Sequence, residues 1–383
     1  MHSWRGFFAN AATVFASLLF VLLVLEAGLR FFPVAWAPDV WRPTLGDTMQ
    51  RYEPNETFTW SHEWNFQDIV RGRTNAQGWI ADYDYDAKAS TPLLAVVGDS
   101  YVEALRVPFA ETVTGRLQVE MESRGRVYAF AQSGAPLSQY VAYANYACTH
   151  FHPDRMVVTT VGNDYDESVV THRKRNGFFH LYSRSGVGFD YKLTPLPPPG
   201  IAQRILRHSA LALYLIRNVG ITGLLDRLGF EVHAALADPS PFVGNTSSDA
   251  SPARVKEGED VIAWFVTELS RAACLEPKNI VIVVDAMRPE IYMGEDVLTA
   301  ARVAYFSRMR ETLMAAARER GYAVVDMEPH FRAAYARDGR RFEFIKDWHW
   351  SAHGHEIVTA AVREALAGWP PLAATASARP RLH

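Results

Sequence analysis

Leu93-Leu94-Ala95-Val96-Val97-Gly98-Asp99-Ser100 is the stretch that decides how this chain folds. Its apolar residues form an unbroken run with no alternation, the pattern of a short strand covered on both faces. Glycine, aspartate and serine then stop it abruptly. Runs of the same kind recur at Arg126 to Ala131, Arg155 to Val161, Asn279 to Val284 and Tyr322 to Asp326. Longer helical patterns lie between or after them, at Glu111 to Arg124, Ser138 to His150, Asp260 to Ala273 and Leu298 to Arg320. In the third of these, Val261, Ile262, Phe265, Leu269 and Ala272 recur at helical spacing and form a face that covers a sheet. A last helix, Ala352 to Leu366, stacks Val358, Val362 and Leu366 on one side and is ended by Gly368 and Pro370. Strands alternating with helices predict an α/β fold, a three-layer α/β/α sandwich around a five-stranded, mostly parallel central sheet.

The composition agrees with that reading. A chain of 383 residues, 49% hydrophobic and 21% charged, is an ordinary folded protein, long enough for one large α/β domain with insertions. A net charge of -3 and the lack of a basic stripe interleaved with aromatics argue against a nucleic-acid partner. Phe7 to Leu25 contains no charged residue and approaches the roughly 20 residues that span a bilayer. It reads as an uncleaved transmembrane anchor. The apolar core of a secretory signal is about 7–15 residues and ends in a small-x-small cleavage site, which Glu26-Ala27-Gly28-Leu29-Arg30 does not resemble. Arg5 precedes the span while Arg30 and Arg42 follow it, so positive charge does not favour a cytoplasmic N-terminus. A short leader with a large domain behind it points instead to a periplasmic or otherwise extracytoplasmic domain. Cys148 and Cys274 each sit a few residues before an expected strand, at one end of the sheet, an arrangement that suits either a disulfide or two buried thiols.

The expected organisation is an anchor at 1–32, an irregular approach segment at 33–90, a catalytic domain at 91–369 and a disordered tail at 370–383. An insertion at 166–254 interrupts the catalytic domain between its third and fourth strands. Within it, Phe178 to Tyr182 and Val187 to Lys192 predict a hairpin, Gln203 to Arg217 a helix, and Asp238 to Ala253 a mobile loop. Asn245-Thr246-Ser247 matches a glycosylation sequon, a pattern common by chance.

A parallel sheet places its site at the carboxyl ends of its strands. Polar residues collect there three times: Gly98-Asp99-Ser100 after the first strand, Gln132-Ser133-Gly134 after the second, Gly162-Asn163-Asp164 after the third. A serine hydroxyl attacks a carbonyl at neutral pH only when an imidazole takes its proton and a carboxylate orients that imidazole. Asp347-Trp348-His349, far along the chain, offers both groups. The Ser100 N–H, the Gly134 N–H and the Asn163 side-chain amide would converge as donors on a developing oxyanion.

These blocks, in this order, resemble the SGNH (GDSL-type) hydrolase superfamily. The resemblance covers about Thr91 to Ala367 without the insertion. It is closest to the membrane-anchored bacterial branch, in which a lone N-terminal helix precedes a segment like Arg73-Thr74-Asn75-Ala76-Gln77-Gly78-Trp79. It implies a flavodoxin-like sheet, Ser100 as nucleophile, His349 as base, Asp347 as its orienting carboxylate, Gly134 and Asn163 as oxyanion donors, and no metal or other cofactor. One departure stands out. Most of the superfamily separates acid and base by two residues, whereas here Trp348 alone lies between them, closer to members with an Asp-x-His-Trp block, including polysaccharide O-acetyltransferases. In an extended loop, residues i and i+2 point the same way, which would let Asp347 reach His349.

The implied activity is a serine-dependent ester hydrolase acting on a small-molecule or glycan ester at the cell envelope. An O-acetyltransferase using the same triad is the alternative, and a catalytically idle protein that binds a glycan or a partner is the third reading. Arg288, just past the fourth strand, is a candidate substrate contact or a surface arginine. His353 is the next candidate base, and His355 suits packing at the start of the last helix; the stretch from His355 lacks the second histidine of a zinc-protease helix. Trp60, Trp64 and Trp79 suit either sugar stacking or packing against the domain.

Overall fold

The computed structural model describes residues 2–41, 44, 46–169, 180–185, 188–193, 200–201, 206–221, 251–292, 304–344 and 348–370. In chain order the elements begin with α1 (His2–Leu29), β1 (Thr57–His62), β2 (Gln67–Arg73), β3 (Leu93–Gly98), α2 (Ser100–Glu103), α3 (Val113–Met121), β4 (Arg126–Ala131) and α4 (Leu137–Phe151). There follow β5 (Arg155–Thr160), β6 (His180–Ser185), β7 (Gly188–Leu193), α5 (Ala210–Leu213), α6 (Pro252–Ala273) and β8 (Ile280–Val284). The chain then forms α7 (Arg288–Tyr292), α8 (Tyr305–Glu319), β9 (Ala323–Asp326), α9 (Met327–Asp338) and α10 (Ala352–Ala365). Two compact units result. One gathers the described parts of 1–37, 58–71 and 198–239; the other gathers those of 38–57, 72–197 and 240–383.

In the first unit, α1 carries an apolar stretch, Gly6–Leu29, long enough to cross a membrane, with a mean hydropathy of 2.3. Its C-terminal turn is tied to the insertion. The Glu26 carboxylate accepts from the Ser209 hydroxyl at 2.7 Å and from the backbone N–H groups of Ala210 and Leu211 at 3.1 and 2.9 Å, serving the open N-terminal donors of α5. Asn218 accepts from the Ala35 N–H at 3.0 Å and donates to Ser61 Oγ at 2.9 Å. The Phe66 ring stacks on Phe32 and tilts against Tyr214, with centroids 5.6 and 5.4 Å apart. The approach segment, expected to be irregular, therefore holds the strand pair β1–β2. Phe58 is buried on β1 with Trp60 half-buried beside it, an alternation too short to stand out among the surrounding aspartates and asparagines.

The second unit is the α/β sandwich that the apolar runs predict. Its five strands are parallel throughout, in the order β4-β3-β5-β8-β9. Val96 lies opposite Ala129 on one side and Val157 on the other, and Ile282 links Val158 to Val324. Alternation along β3 divides the core. Leu93, Ala95 and Val97 join the face packed by α4, α6 and α8, with Tyr143, Phe265 and Leu313; Leu94 and Val96 join the face packed by α3, α9 and α10, with Leu117, Phe331 and Val358. Two helices differ from expectation. Helix α6 begins at Pro252, ahead of the expected Asp260, because its mostly polar first turns before Val261 carry no run of apolar residues to mark them. Helix α9 lacks a sequence signal of its own beyond Asp326, whose side chain caps it by accepting from the Glu328 N–H at 2.9 Å.

Cys148, in the last turn of α4, and Cys274, the C-cap of α6, form a disulfide across a Cα separation of 5.8 Å. The predicted hairpin of the insertion is present as β6 and β7. The loop expected from Asp238 to Ala253 and the sequon at Asn245 lie largely outside the described residues, as does the tail beyond 370. Trp79 is a core residue, 1% exposed and set edge-on against Phe130 and Tyr143, so it packs and does not present a ring to a sugar. Asn75 arranges this by accepting from the N–H groups of Gln77 and Trp79 at 3.0 and 2.9 Å.

Candidate active site

The nucleophile candidate is displayed by a sharp strand-to-helix turn. At Gly98 a Cβ would approach Val102 Cγ2 to 2.4 Å, so only glycine lets the chain double back into α2 this tightly. Asp99 is buried and caps the helix, its Oδ1 accepting from the Tyr101 N–H at 2.9 Å while Oδ2 lies 3.3 Å from Ser100 Oγ. Burial pushes the Asp99 carboxyl up to about 7; the hydrogen bond from Tyr101 pulls against this and the nearby Glu103 charge adds to it. Ser100 itself remains partly exposed.

His349 meets this serine from the far end of the chain, with Nε2 at 2.8 Å from Ser100 Oγ. Burial, reinforced by the guanidiniums of Arg106 and Arg288, holds the imidazole well below its ordinary value, so it is neutral and able to accept a proton at pH 7. Accepting at Nε2 requires that Nδ1 carry the hydrogen. Arg106 lies 3.3 Å from Nδ1, but a guanidinium has no acceptor. Asp347, the acid expected to take that hydrogen bond, lies outside the described residues.

The loop that carries His349 is held from beneath. Trp348 has φ 65°, a left-handed conformation that bulky residues rarely adopt. Its carbonyl accepts from the Tyr101 hydroxyl at 2.9 Å and from Arg288 at 2.8 Å. The Tyr101 ring also stacks on the imidazole, with centroids 4.7 Å apart. Arg288 is 3% exposed and ion-paired with Asp285 at the end of β8, and Asp285 also accepts from the Trp350 indole at 3.0 Å. The loop is thus not extended at Trp348, and the argument that residues i and i+2 point the same way does not apply to it. Arg288 lies under the loop, away from solvent, where it positions the loop and has no surface to offer a substrate.

Gly134 and Asn163 follow β4 and β5, the strands on either side of β3. Gln132 to Ala135 form a turn closed by the Ala135 N–H on the Gln132 carbonyl at 3.0 Å, with Gly134 at φ 78°; a positive φ confined to the third residue makes this a type II turn and explains the glycine. After β5, the Asp164 carboxylate accepts from the Val161 N–H at 2.7 Å and the Tyr140 hydroxyl at 2.9 Å, fixing the turn in which Asn163 stays partly exposed. The turn residues of three adjacent strands therefore bring Ser100, Gly134 and Asn163 to one edge of the sheet. His353 sits elsewhere, with Nδ1 3.5 Å from Glu356, and His355 is buried, its Nδ1 accepting from the Val113 N–H at 3.3 Å at the start of α3.

A parallel sheet in this order, with the serine turn after β3, one strand in from the edge, and the histidine arriving just before α10, decides the architecture. The fold is a three-layer α/β/α sandwich. Solved structures similar to this chain include a lipase/acylhydrolase from Enterococcus faecalis, 10% identical, with a TM-score of 0.39 over 72% of this chain and 95% of that one. An acetyl xylan esterase, AlAXEase, is 10% identical with a TM-score of 0.38 over 72% and 99% of the two chains. A member of the lipolytic G-D-S-L family from Veillonella parvula is 10% identical with a TM-score of 0.35 over 72% and 97%. No family model matches the sequence, and no curated protein matches it.

Several residues around this candidate site escaped the reading of the sequence. Tyr101, Glu103 and Arg106 all follow the serine within two turns, and Asp285 ends a strand as the recognised blocks do. The strand-end rule that found Asn163 places Asp285 at the same edge, but not its pairing with Arg288 and Trp350. Nothing in the sequence announces that Tyr101 reaches the carbonyl of Trp348.

Proposed function

We propose that this chain is a membrane-anchored serine esterase of the SGNH type. The observation that supports it most directly is the 2.8 Å approach of His349 Nε2 to Ser100 Oγ at the sheet edge where Gly134 and Asn163 also emerge. In the reaction, Ser100 Oγ attacks the ester carbonyl while its proton passes to Nε2. The carbonyl oxygen becomes an anion stabilised by the Ser100 and Gly134 N–H groups and the Asn163 amide. The alcohol then departs with the proton from His349, leaving an acyl group on Ser100. Water, deprotonated by the same imidazole, attacks the acyl-enzyme and releases the acid. If a sugar hydroxyl replaced water, the product would be a transferred acyl group; the Asp347-Trp348-His349-Trp350 spacing supports that second reading. Asp347 as the orienting acid belongs to this proposal.

The substrate class we assign is an acyl ester of an envelope glycan. Support for the location comes from two features. Glu26 and Ala35 bond to the insertion, so the end of the apolar helix is part of the folded first unit, which suits a retained anchor better than a cleaved signal. The disulfide suits an oxidising compartment outside the cytoplasm.

A fluorophosphonate probe tests the central claim. The wild-type chain should be labelled covalently and Ser100→Ala should not; an unlabelled wild-type protein would favour the idle, binding reading. Release of acetate from p-nitrophenyl acetate, with and without sugar acceptors, separates the two enzymatic readings. Free acetate as the only product excludes the transferase.

A further inference from the structure

One buried carboxylate in the second unit is not used by the reaction just described. Glu103 ends the helical turn that Ser100 begins and is 4% exposed, an uncommon place for an acid. Its carboxylate accepts from the Tyr52 hydroxyl, from the Ser133 hydroxyl and from the Ser133 N–H. A buried acid is retained where donors replace its lost water, and these donors come from two distant segments of chain. Ser133 is the second residue of the type II turn whose third residue is Gly134. Two bonds from Glu103 therefore grip the residue directly before the N–H assigned to the oxyanion. Ser133 is otherwise exposed, and these two bonds are what join it to the helix of the serine.

We propose that Glu103 is the positioning residue of the oxyanion site: rooted in the same short helix as Ser100, it locks the Ser133–Gly134 turn at a set distance from the nucleophile. The inference rests on the serine-esterase reading. Tyr52 contributes as the brace on the other carboxylate oxygen, which gives the approach segment a role in catalysis that its sequence does not suggest.

The lock depends on charge. As a carboxylate Glu103 accepts all three bonds; protonated, it becomes partly a donor, so one bond must reverse or break and the charge-assisted grip weakens. Burial pushes its carboxyl up to about 7, against the pull of Ser133, Tyr52 and the Arg106 guanidinium. The groups that face it are Tyr52 from the approach segment, Ser133 from the turn after β4, Arg106 from the loop after α2, and Asp99, whose own proton affinity the Glu103 charge raises. Since the folded-state value is raised, the locked form is fully present above about 7 and is lost as pH falls through that value. His349 is held well below its ordinary value, so its protonation belongs at lower pH.

The test compares kcat against pH for the full chain and three variants, with p-nitrophenyl acetate as substrate and fluorophosphonate labelling as the independent check of Ser100. In the wild type kcat should rise through neutral pH. Glu103→Gln should lower kcat 10- to 100-fold with KM changed less than threefold. It should also move the rise to lower pH, because the titrating group is gone and Asp99 no longer feels its charge. Tyr52→Phe and Ser133→Ala each remove one donor to the carboxylate and should move the rise to higher pH. These two variants keep the proposal testable if Glu103→Gln fails to fold. Labelled protein with an unchanged pH profile in the variants overturns the role of Glu103 and leaves the esterase reading standing. Absence of labelling in the wild type overturns the esterase reading itself.

Discussion

The disulfide between Cys148 and Cys274 gives the prediction whose magnitude follows most directly from the structure. It joins residues 126 apart in sequence, at the C-terminal ends of α4 and α6. In the chain-entropy account, a cross-link removes about 2.1 + 1.5R ln n cal/mol/K from the unfolded ensemble. For a separation of 126 this is about 16 cal/mol/K, or about 5 kcal/mol at 25 °C. The two helices pack against each other on one face of the sheet, so the cross-link needs no rearrangement of the core. Urea unfolding of the full chain in detergent, followed by tryptophan fluorescence, should compare oxidised protein, reduced protein and the Cys148→Ala/Cys274→Ala variant. With a denaturant slope of about 3 kcal/mol/M, the reduced protein and the variant should both unfold at a midpoint lower by about 1.7 M. Thiol titration of the oxidised protein, unfolded without reductant, should find no free cysteine. Equal midpoints, or two reactive thiols in freshly isolated protein, would refute both the bond and the argument from it to an oxidising compartment.

Other outcomes test the site and its supports. His349→Ala should lower turnover of p-nitrophenyl acetate by about 10⁴-fold or more with circular dichroism unchanged; wild-type turnover would place the base elsewhere. Asn163→Ala should lower kcat by about 10²–10³-fold if its amide faces the oxyanion, and a loss under threefold removes it from that role. Arg288→Met strands the Asp285 carboxylate in the core and should destabilise the fold by about 3–5 kcal/mol in thermal or urea unfolding; a raised KM with unaltered stability would instead restore the substrate-contact role. Glu26→Ala leaves the first N–H groups of α5 without their acceptor, a loss of about 0.5–2 kcal/mol, and should speed limited proteolysis within 206–221. An unchanged cleavage rate there would show that α1 is not integrated with the insertion.

The sheet was legible because β3, β4, β5 and β8 are almost wholly buried, so they are written as largely apolar runs between turn residues. The β1–β2 pair was not, since its few buried positions, such as Phe58 and Val70, lie among polar and aromatic residues that dilute the alternation. The helix start at Pro252 was not legible either, because its first turns are mostly polar and half-buried and carry no apolar run. In the site, Ser100, Gly134 and Asn163 were readable from position alone: each belongs to a polar turn directly after a strand. The residues that hold His349 were not readable in this way. Tyr101 and Arg288 act on a backbone carbonyl that lies far from both in sequence, and a carbonyl leaves no signature in the residue that bears it.

That carbonyl also bears on when the site forms. A left-handed conformation at a residue such as Trp348 costs about 1–2 kcal/mol. Within the loop, the Trp348 N–H donates to the Phe344 carbonyl and the Phe344 N–H to the His349 carbonyl, both at 2.9 Å, and two hydrogen bonds to the Trp348 carbonyl from outside it add to these. Arg288 supplies a charged donor, worth about 1.5–3 kcal/mol, and Tyr101 a neutral one, worth about 0.5–1.5 kcal/mol. Together they exceed the strain, so the loop holds its shape in the folded protein before any substrate arrives. The two donors also come from the elements that matter most to the chemistry: Tyr101 adjoins the serine, and Arg288 is anchored to Asp285 at the end of β8. Closing the sheet therefore draws the histidine loop down onto the serine turn, and the 2.8 Å contact between His349 and Ser100 is a consequence of core packing. Arg288, which the sequence offers to a substrate, is buried and ties the His349 loop to the sheet.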